Sequence, residues 1–158
     1  MEIKTRQDTL YNLSNQYFFF IMCGIVGGVT NRDITPLLLD GLKRLEYRGY
    51  DSSGLIVLSK KNSFNRARSV GKVKNLEKNL KTRKNKIKGN IGIAHTRWAT
   101  HGEPANRNAH PHISNQAVSI VHNGIIENYL ELKDSQIKQG YKFTSETDTE
   151  VIAHAIDS

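Results

Sequence analysis

A single cysteine, Cys23, and six histidines, His95, His101, His110, His112, His122 and His154, carry most of the nucleophile and proton-transfer chemistry available to this 158-residue chain. Attack by a thiolate on a carbonyl carbon needs a proton acceptor and donors for the oxyanion it creates, and cysteine hydrolases commonly take the acceptor from a histidine. The sequence leaves open which of the six would serve. A second solution is open too: a nucleophile at the first position of a chain can use its own α-amine, with a pKa of about 7.7 to 8, as the acceptor. Cys23 follows an internal Met22, so a chain starting at Cys23 would meet that requirement. One cysteine cannot close an internal disulfide, which excludes a secreted disulfide scaffold and predicts a reducing compartment, the cytoplasm. No cysteine pair or acidic cluster completes a ligand set with His95, His101, His110 and His112, so no metal and no other cofactor is expected; structural hydrogen bonds are the expected role of these histidines.

The elements that must position these residues are readable from period and punctuation. Residues 23–29 (CGIVGGV) are a short apolar strand whose glycines mark close approach. Thr35-Pro36 opens a helix over 36–46 with Leu38, Leu42 and Leu45 on one stripe. Residues 53–59 and 64–70 flank a Lys-Lys-Asn-Ser turn as a β-hairpin, and Val73, Leu76 and Leu80 form the apolar stripe of a basic helix. A strand is predicted over 89–98, a long polar loop over 99–116, a strand over 117–124, a helix over 125–140 closed by Gly140, and a strand over 141–146. Thr147 and Glu150 have the spacing of a capping box before a last helix with Val151, Ile152, Ala155 and Ile156 on one face. That helix carries no stop signal, so the single α+β unit is expected to be incomplete at its C-terminal side.

The formal charge of +8 is concentrated. Residues 60–88 hold 12 Lys or Arg against one acid, Glu77, leaving the rest of the chain at −3. A solvated helix face is the expected reading; a nucleic-acid-binding module on 60–88 is the alternative. No apolar run approaches the roughly 20 residues of a membrane span. Residues 1–22 lack the apolar length and the small final residue of a secretory or lipoprotein signal, so they are expected to be an extension, from a start assigned too early or a propeptide.

Six ordered motifs, CGIVGG, RLEYRGYDSSGL, HTRWATHGEP, NAHPH, HNGIIEN and SETDTEVIAH, together resemble the class II glutamine amidotransferase (glutaminase) domain of the glutamine–fructose-6-phosphate aminotransferases, over essentially Cys23 to the last residue. That resemblance implies an N-terminal-nucleophile hydrolase fold, a four-layer α/β/β/α sandwich. It implies that Cys23 attacks the glutamine side-chain amide, giving a thioester and ammonia, and that water then releases glutamate. It implies Asn123 and Gly124 as oxyanion donors and Arg48 as a cation near the thiolate. Arg97, with Thr100 and His101, would pair with the substrate α-carboxylate, Asp148 with its α-ammonium, and Trp98 would belong to a lid. Read alone, the same residues have plainer roles: a buried cysteine, surface ions at Arg97 and Asp148, a hairpin turn at Asn123-Gly124 and a core tryptophan at Trp98.

The implied partners are L-glutamine and a sugar-phosphate isomerase domain that would use the ammonia to make glucosamine 6-phosphate, in a homo-oligomer; neither membrane nor nucleic acid is expected. With residues 1–22 blocking the α-amine, and with the missing C-terminal part leaving strand edges and apolar helix faces uncovered around the pocket, this chain as written is expected to have little or no glutaminase activity.

Overall fold

The apolar run SSGLIVL pairs with FNRARSV as the expected hairpin, and the computed structural model, which describes residues 23–59, 61–99 and 101–158, places it at one side of a four-stranded antiparallel sheet. The predicted extension 1–22, Thr100 and the side chain of Arg48 lie outside what is described. Strand β1 is Gly24–Val29, β2 Ser52–Leu58, β3 Phe64–Val70 and β4 Ile91–Arg97, in the order β1-β4-β2-β3. Their register sets Ile25 opposite His95, and His95 opposite Gly54. The start of β1 therefore lies beside the end of β4.

One sheet face carries Leu55, Val57, Ala67 and Ala94 against helix α1 (Thr35–Leu45) and helix α2 (Val73–Thr82). Leu38 and Leu42 of α1 and Val73 and Leu76 of α2 are fully or almost fully buried there, as the stripes predict, with Leu80 packed at the margin. Helix α1 begins at Thr35, and the carboxylate of Asp33 accepts from the Thr35 backbone N–H (3.1 Å) and hydroxyl (2.9 Å). The outer face of α2 is the solvated side of the basic segment, where the single acid, Glu77, joins Lys43 of α1 (3.2 Å) to Lys81 (3.0 Å).

The opposite sheet face mixes the buried Ile56 with the polar His95, Arg97, Arg66 and Arg68. Gly54 lies under the chain at His110, and a Cβ there would come within 2.1 Å of the His110 carbonyl oxygen, so the close approach of the layers requires glycine. Arg66 donates to the Pro111 carbonyl at 3.1 Å, and Arg68 to those of Arg107 and Ala109 at 2.9 and 3.1 Å. This arginine-bound segment leads into a second sheet of β5 (His112–Ser114) and β6 (Val118–Ile120), joined by a turn with positive φ at Asn115 and Gln116. Helix α4 (Glu150–Asp157) covers that sheet, and helix α3 (Tyr129–Lys138) packs on α4, where Gln136 donates to the Val151 carbonyl at 2.9 Å. Helices, sheet, sheet and helices thus follow in the expected layer order. Among the described residues no helix is long and apolar enough to cross a membrane.

Three expectations need correction. The predicted loop 99–116 contains β5, whose single aliphatic residue, Ile113, gives no period to detect. Residues 141–146 form no strand: the backbone N–H groups of Thr144 and Ser145 donate instead to the Glu150 carboxylate (2.7 to 3.1 Å). Glu150 is thereby withdrawn from the predicted capping box; Thr149 is the N-cap residue and Thr147 turns inward to bond His112 Nε2 at 3.0 Å. Of the predicted face of α4, Val151 is buried and Ile152 half-buried, but Ala155 and Ile156 are exposed, and Ala153 and His154 are buried beside Val151.

Candidate active site

The edge pairing of β1 with β4 brings Cys23 to the last residues of β4. Its Sγ accepts from the Trp98 backbone N–H at 3.0 Å and lies 3.9 Å from the Trp98 carbonyl oxygen. From the loop after β6, Asn123 Nδ2 donates to the Cys23 carbonyl at 2.9 Å. Gly124 follows with φ +152°, and a Cβ there would meet the His122 ring at 2.8 Å. Asn123-Gly124 lies between β6 and α3 and is not a hairpin turn, so the dipeptide is used for its donors and its freedom from a side chain.

A cavity of about 360 Å³ opens at this junction, lined by Cys23, Arg97, Trp98, His101, Asn123, Gly124 and Asp148 among others. Its size suits a small polar ligand. Arg97 is 4% and Asp148 3% exposed, so neither is a surface ion, and Trp98, 44% exposed at the rim, is not a core residue. Asp148 Oδ2 accepts from the Ile126 backbone N–H at 2.7 Å and lies 4.0 Å from His101 Nδ1. The Arg97 fork donates to the carbonyls of His101, Gly102 (2.9 Å) and Glu103 (3.4 Å), curling the chain after Trp98 around the guanidinium. Asp51, 3.9 Å from Arg97 Nη1, also accepts from the Ala99 backbone N–H. Burial lowers the Arg97 pKa, while Asp51, Cys23 and Asp148 act in the opposite sense.

Seven of the nine residues singled out in the sequence therefore share one cavity. Arg48 belongs to the 3-10 turn Glu46–Arg48, its side chain outside the described part, as is Thr100. Sequence reasoning did not single out Asp51, and it named His95 only among the histidines expected to make structural hydrogen bonds. Asp51 stood inside the RGYDSSG motif, which was its only signal. His95 bonds Asn123, and its ring stacks on His110 with centroids 4.3 Å apart. Burial pushes the His95 pKa down to about 4 and that of His112 to about 3, and holds His110 well below its usual value, so all three rings are neutral near pH 7. Among the described residues no group of three or more His, Cys, Asp or Glu is arranged to hold a metal ion.

A family model for the glutamine amidotransferase domain matches residues 77–158. The chain belongs to this glutamine amidotransferase domain family. It is 58% identical over 135 residues to glutamine–fructose-6-phosphate aminotransferase [isomerizing] of Buchnera aphidicola, and 59% over 136 residues to that of Acinetobacter baylyi. These alignments take in 85% and 86% of this chain but 22% of either relative, so the chain spans about a fifth of their length. Among solved structures, glutamine phosphoribosylpyrophosphate amidotransferase of B. subtilis, complexed with ADP and GMP, superposes with a TM-score of 0.63 at 28% identity, over 86% of this chain and 29% of that one. An allosteric regulatory enzyme of purine biosynthesis gives 0.65 at the same identity and coverage. The amidotransferase domain has the N-terminal-nucleophile hydrolase architecture of these neighbours, and the nucleic-acid-binding alternative gains no support from any of them.

Proposed function

We propose that this amidotransferase domain hydrolyses the side-chain amide of L-glutamine, with Cys23 as nucleophile and, in a chain that begins at Cys23, the α-amine as proton acceptor. The thiolate attacks the amide carbon, and the oxyanion is met by Asn123 Nδ2 and the Gly124 N–H. The α-ammonium returns its proton to the leaving nitrogen, ammonia departs and a thioester remains. Water, deprotonated by the same amine, then releases glutamate and the thiol. Arg97, with Thr100 and His101, pairs with the substrate α-carboxylate against a loop that Arg97 itself orders; Asp148 takes the α-ammonium; Arg48 favours the thiolate and Trp98 closes the rim. The single observation that supports this reading most is the meeting of Cys23, Asn123 and Asp148 in one cavity from three separate segments.

Residues 1–22 are then an extension outside the catalytic unit 23–158. By analogy with the named function of the aminotransferase relatives, the ammonia would go to fructose 6-phosphate on an isomerase domain, within a longer cytoplasmic homo-oligomer.

The test is glutamate release by two forms whose first residue is established by mass spectrometry. The form beginning at Cys23 should exceed the form retaining residues 1–22 by about 10²-fold or more, the typical contribution of a positioned base. Cys23→Ala in the active form should leave no measurable hydrolysis. Equal activity with residues 1–22 attached contradicts the α-amine step, and activity in Cys23→Ala sinks the nucleophile.

A further inference from the structure

His95 has no part in the reaction as written above, yet it is 1% exposed and lies at the floor of the same cavity. Its Nε2 is 2.7 Å from Asn123 Oδ1. The direction of that bond follows from the other end of the amide. The Cys23 carbonyl oxygen can only accept, so the Asn123 atom 2.9 Å from it must be the NH2 group. Oδ1 therefore faces His95 and can also only accept, which places the imidazole proton on Nε2. His95 Nδ1 then carries the lone pair, and it is buried with no hydrogen bond of its own.

The ring has a rigid support. His110 stacks on it at an interplanar angle of 16°, and His110 Nδ1 is held by the His122 backbone N–H at 3.3 Å. His112 meets His110 edge-on at 4.6 Å between centroids and is fixed through Nε2 by Thr147. Asn123, by contrast, is exposed on a loop, and an asparagine amide turns easily about its last torsion. Turned over, it would present oxygen instead of N–H to a developing oxyanion.

We propose that His95 is the positioning residue of the oxyanion site, locking the Asn123 amide through Nε2–H so that Nδ2 faces Cys23. This rests on the reading that Cys23 carries glutamine hydrolysis, and its test separates the two. In the form beginning at Cys23, His95→Leu keeps bulk and removes the donor; kcat should fall about 10- to 100-fold, below the full loss of an oxyanion donor, with KM changed less than about threefold. His95→Gln, which returns an N–H near the position of Nε2, should recover most of that loss. In an Asn123→Ala background, His95→Leu should cost nothing further, because the residue acts through Asn123. A loss of equal size in both backgrounds, or one that glutamine does not rescue, overturns the proposal.

A second arm needs neither activity nor a substitution. In the full 158-residue chain, ¹⁵N NMR of the His95 ring should show a protonated Nε2 and a bare Nδ1; the opposite tautomer overturns the proposal. Should the form beginning at Cys23 hydrolyse no glutamine, the functional reading fails by itself. The positioning claim is then decided by that tautomer and by whether His95→Leu moves the Asn123 side-chain NH2 resonances.

Discussion

The two faces of the four-stranded sheet are built from the same strands and do opposite work. Towards α1 and α2 the sheet presents Leu55, Val57, Ala67 and Ala94, whose contacts are apolar and without direction. Towards the second sheet it presents His95, Arg97, Arg66 and Arg68, each held by a hydrogen bond to a carbonyl or amide on another segment. Non-directional packing tolerates small displacements, whereas a donor aimed at an oxyanion does not. Stability is concentrated on one face and the geometry of the candidate site on the other.

Substitutions that separate these properties should have the largest effects. Leu42→Ala leaves a hole between α1 and the sheet and should lower unfolding free energy by about 2 to 5 kcal/mol, with kcat of the folded protein nearly unchanged. Asn123→Ala should act mainly on catalysis, costing about 10² to 10³ in kcat and about 1 to 3 kcal/mol of stability, the latter because the buried His95 Nε2–H loses its acceptor. Urea denaturation and steady-state kinetics on both variants decide it; equal losses of stability and kcat in either would erase the division.

The polar face should also carry the acid sensitivity. His95 and His112 are pushed by burial to about 4 and about 3, with Arg97, Arg66 and Arg68 acting in the same direction, and His110 is lowered too. Depressed pKa values mean that between about pH 6.5 and the folded-state values the unfolded chain binds more protons, so stability must fall on acidification. Each histidine contributes a slope of at most about 1.4 kcal/mol per pH unit. The urea midpoint should decline between pH 6.5 and 5, above the range where ordinary carboxylates titrate, and Leu42→Ala should shift that curve without changing its slope. A flat midpoint across this interval would count against three neutral buried rings.

Gly54 belongs to both regions, because it is where the segment carrying His110 rests on the sheet. Gly54→Ala places a methyl group 2.1 Å from a backbone oxygen, so the layers must separate. A stability loss of about 1 to 3 kcal/mol is expected, together with a drop in kcat, since His110 supports His95. Loss of stability with kcat intact would show that the histidine stack does not transmit its position to Asn123.

This division also explains what could be read from the sequence. The helix stripes at Leu38, Leu42, Val73 and Leu76 are periodic, so the helix side of the apolar face was legible residue by residue, whereas β2 and β3 were legible only as a hairpin. The polar face has no period. Glu150 bonding Thr144 and Ser145, Thr147 reaching His112, and His95 meeting Asn123 join positions whose proximity only the fold creates. The helix and strand boundaries misread near residues 112–114 and 141–150 lie there. The seven candidate residues that share the cavity were singled out through the six family motifs; spacing alone left Cys23 and six histidines without an assignment. Even the motifs did not separate residues that would touch substrate from His95 and Asp51, which hold such residues in place.

The smallest expected effect tests the apolar side where it most resembles the polar one. Asp33 is a polar device on the helix-covered face: its Oδ1 accepts from Thr35 N–H and Oγ1 and, at 3.3 Å, from the Gly89 N–H just before β4. It precedes the N-cap residue Ile34, fixes the turn that enters α1 and ties that turn to the entry of the strand whose far end carries Arg97. Asp33→Ala removes the acceptor of these half-buried hydrogen bonds and should cost about 1 kcal/mol. If directed bonds matter only where they aim a reacting group, the variant should lose that stability while kcat and KM for glutamine stay at the parent values, and Asp33→Asn, which keeps an accepting oxygen, should regain most of it. A fall in kcat at full stability would mean that the position of β4 is set from its entry as well as from the cavity, and the contrast between the two faces would have to be redrawn along the strand instead of across the sheet.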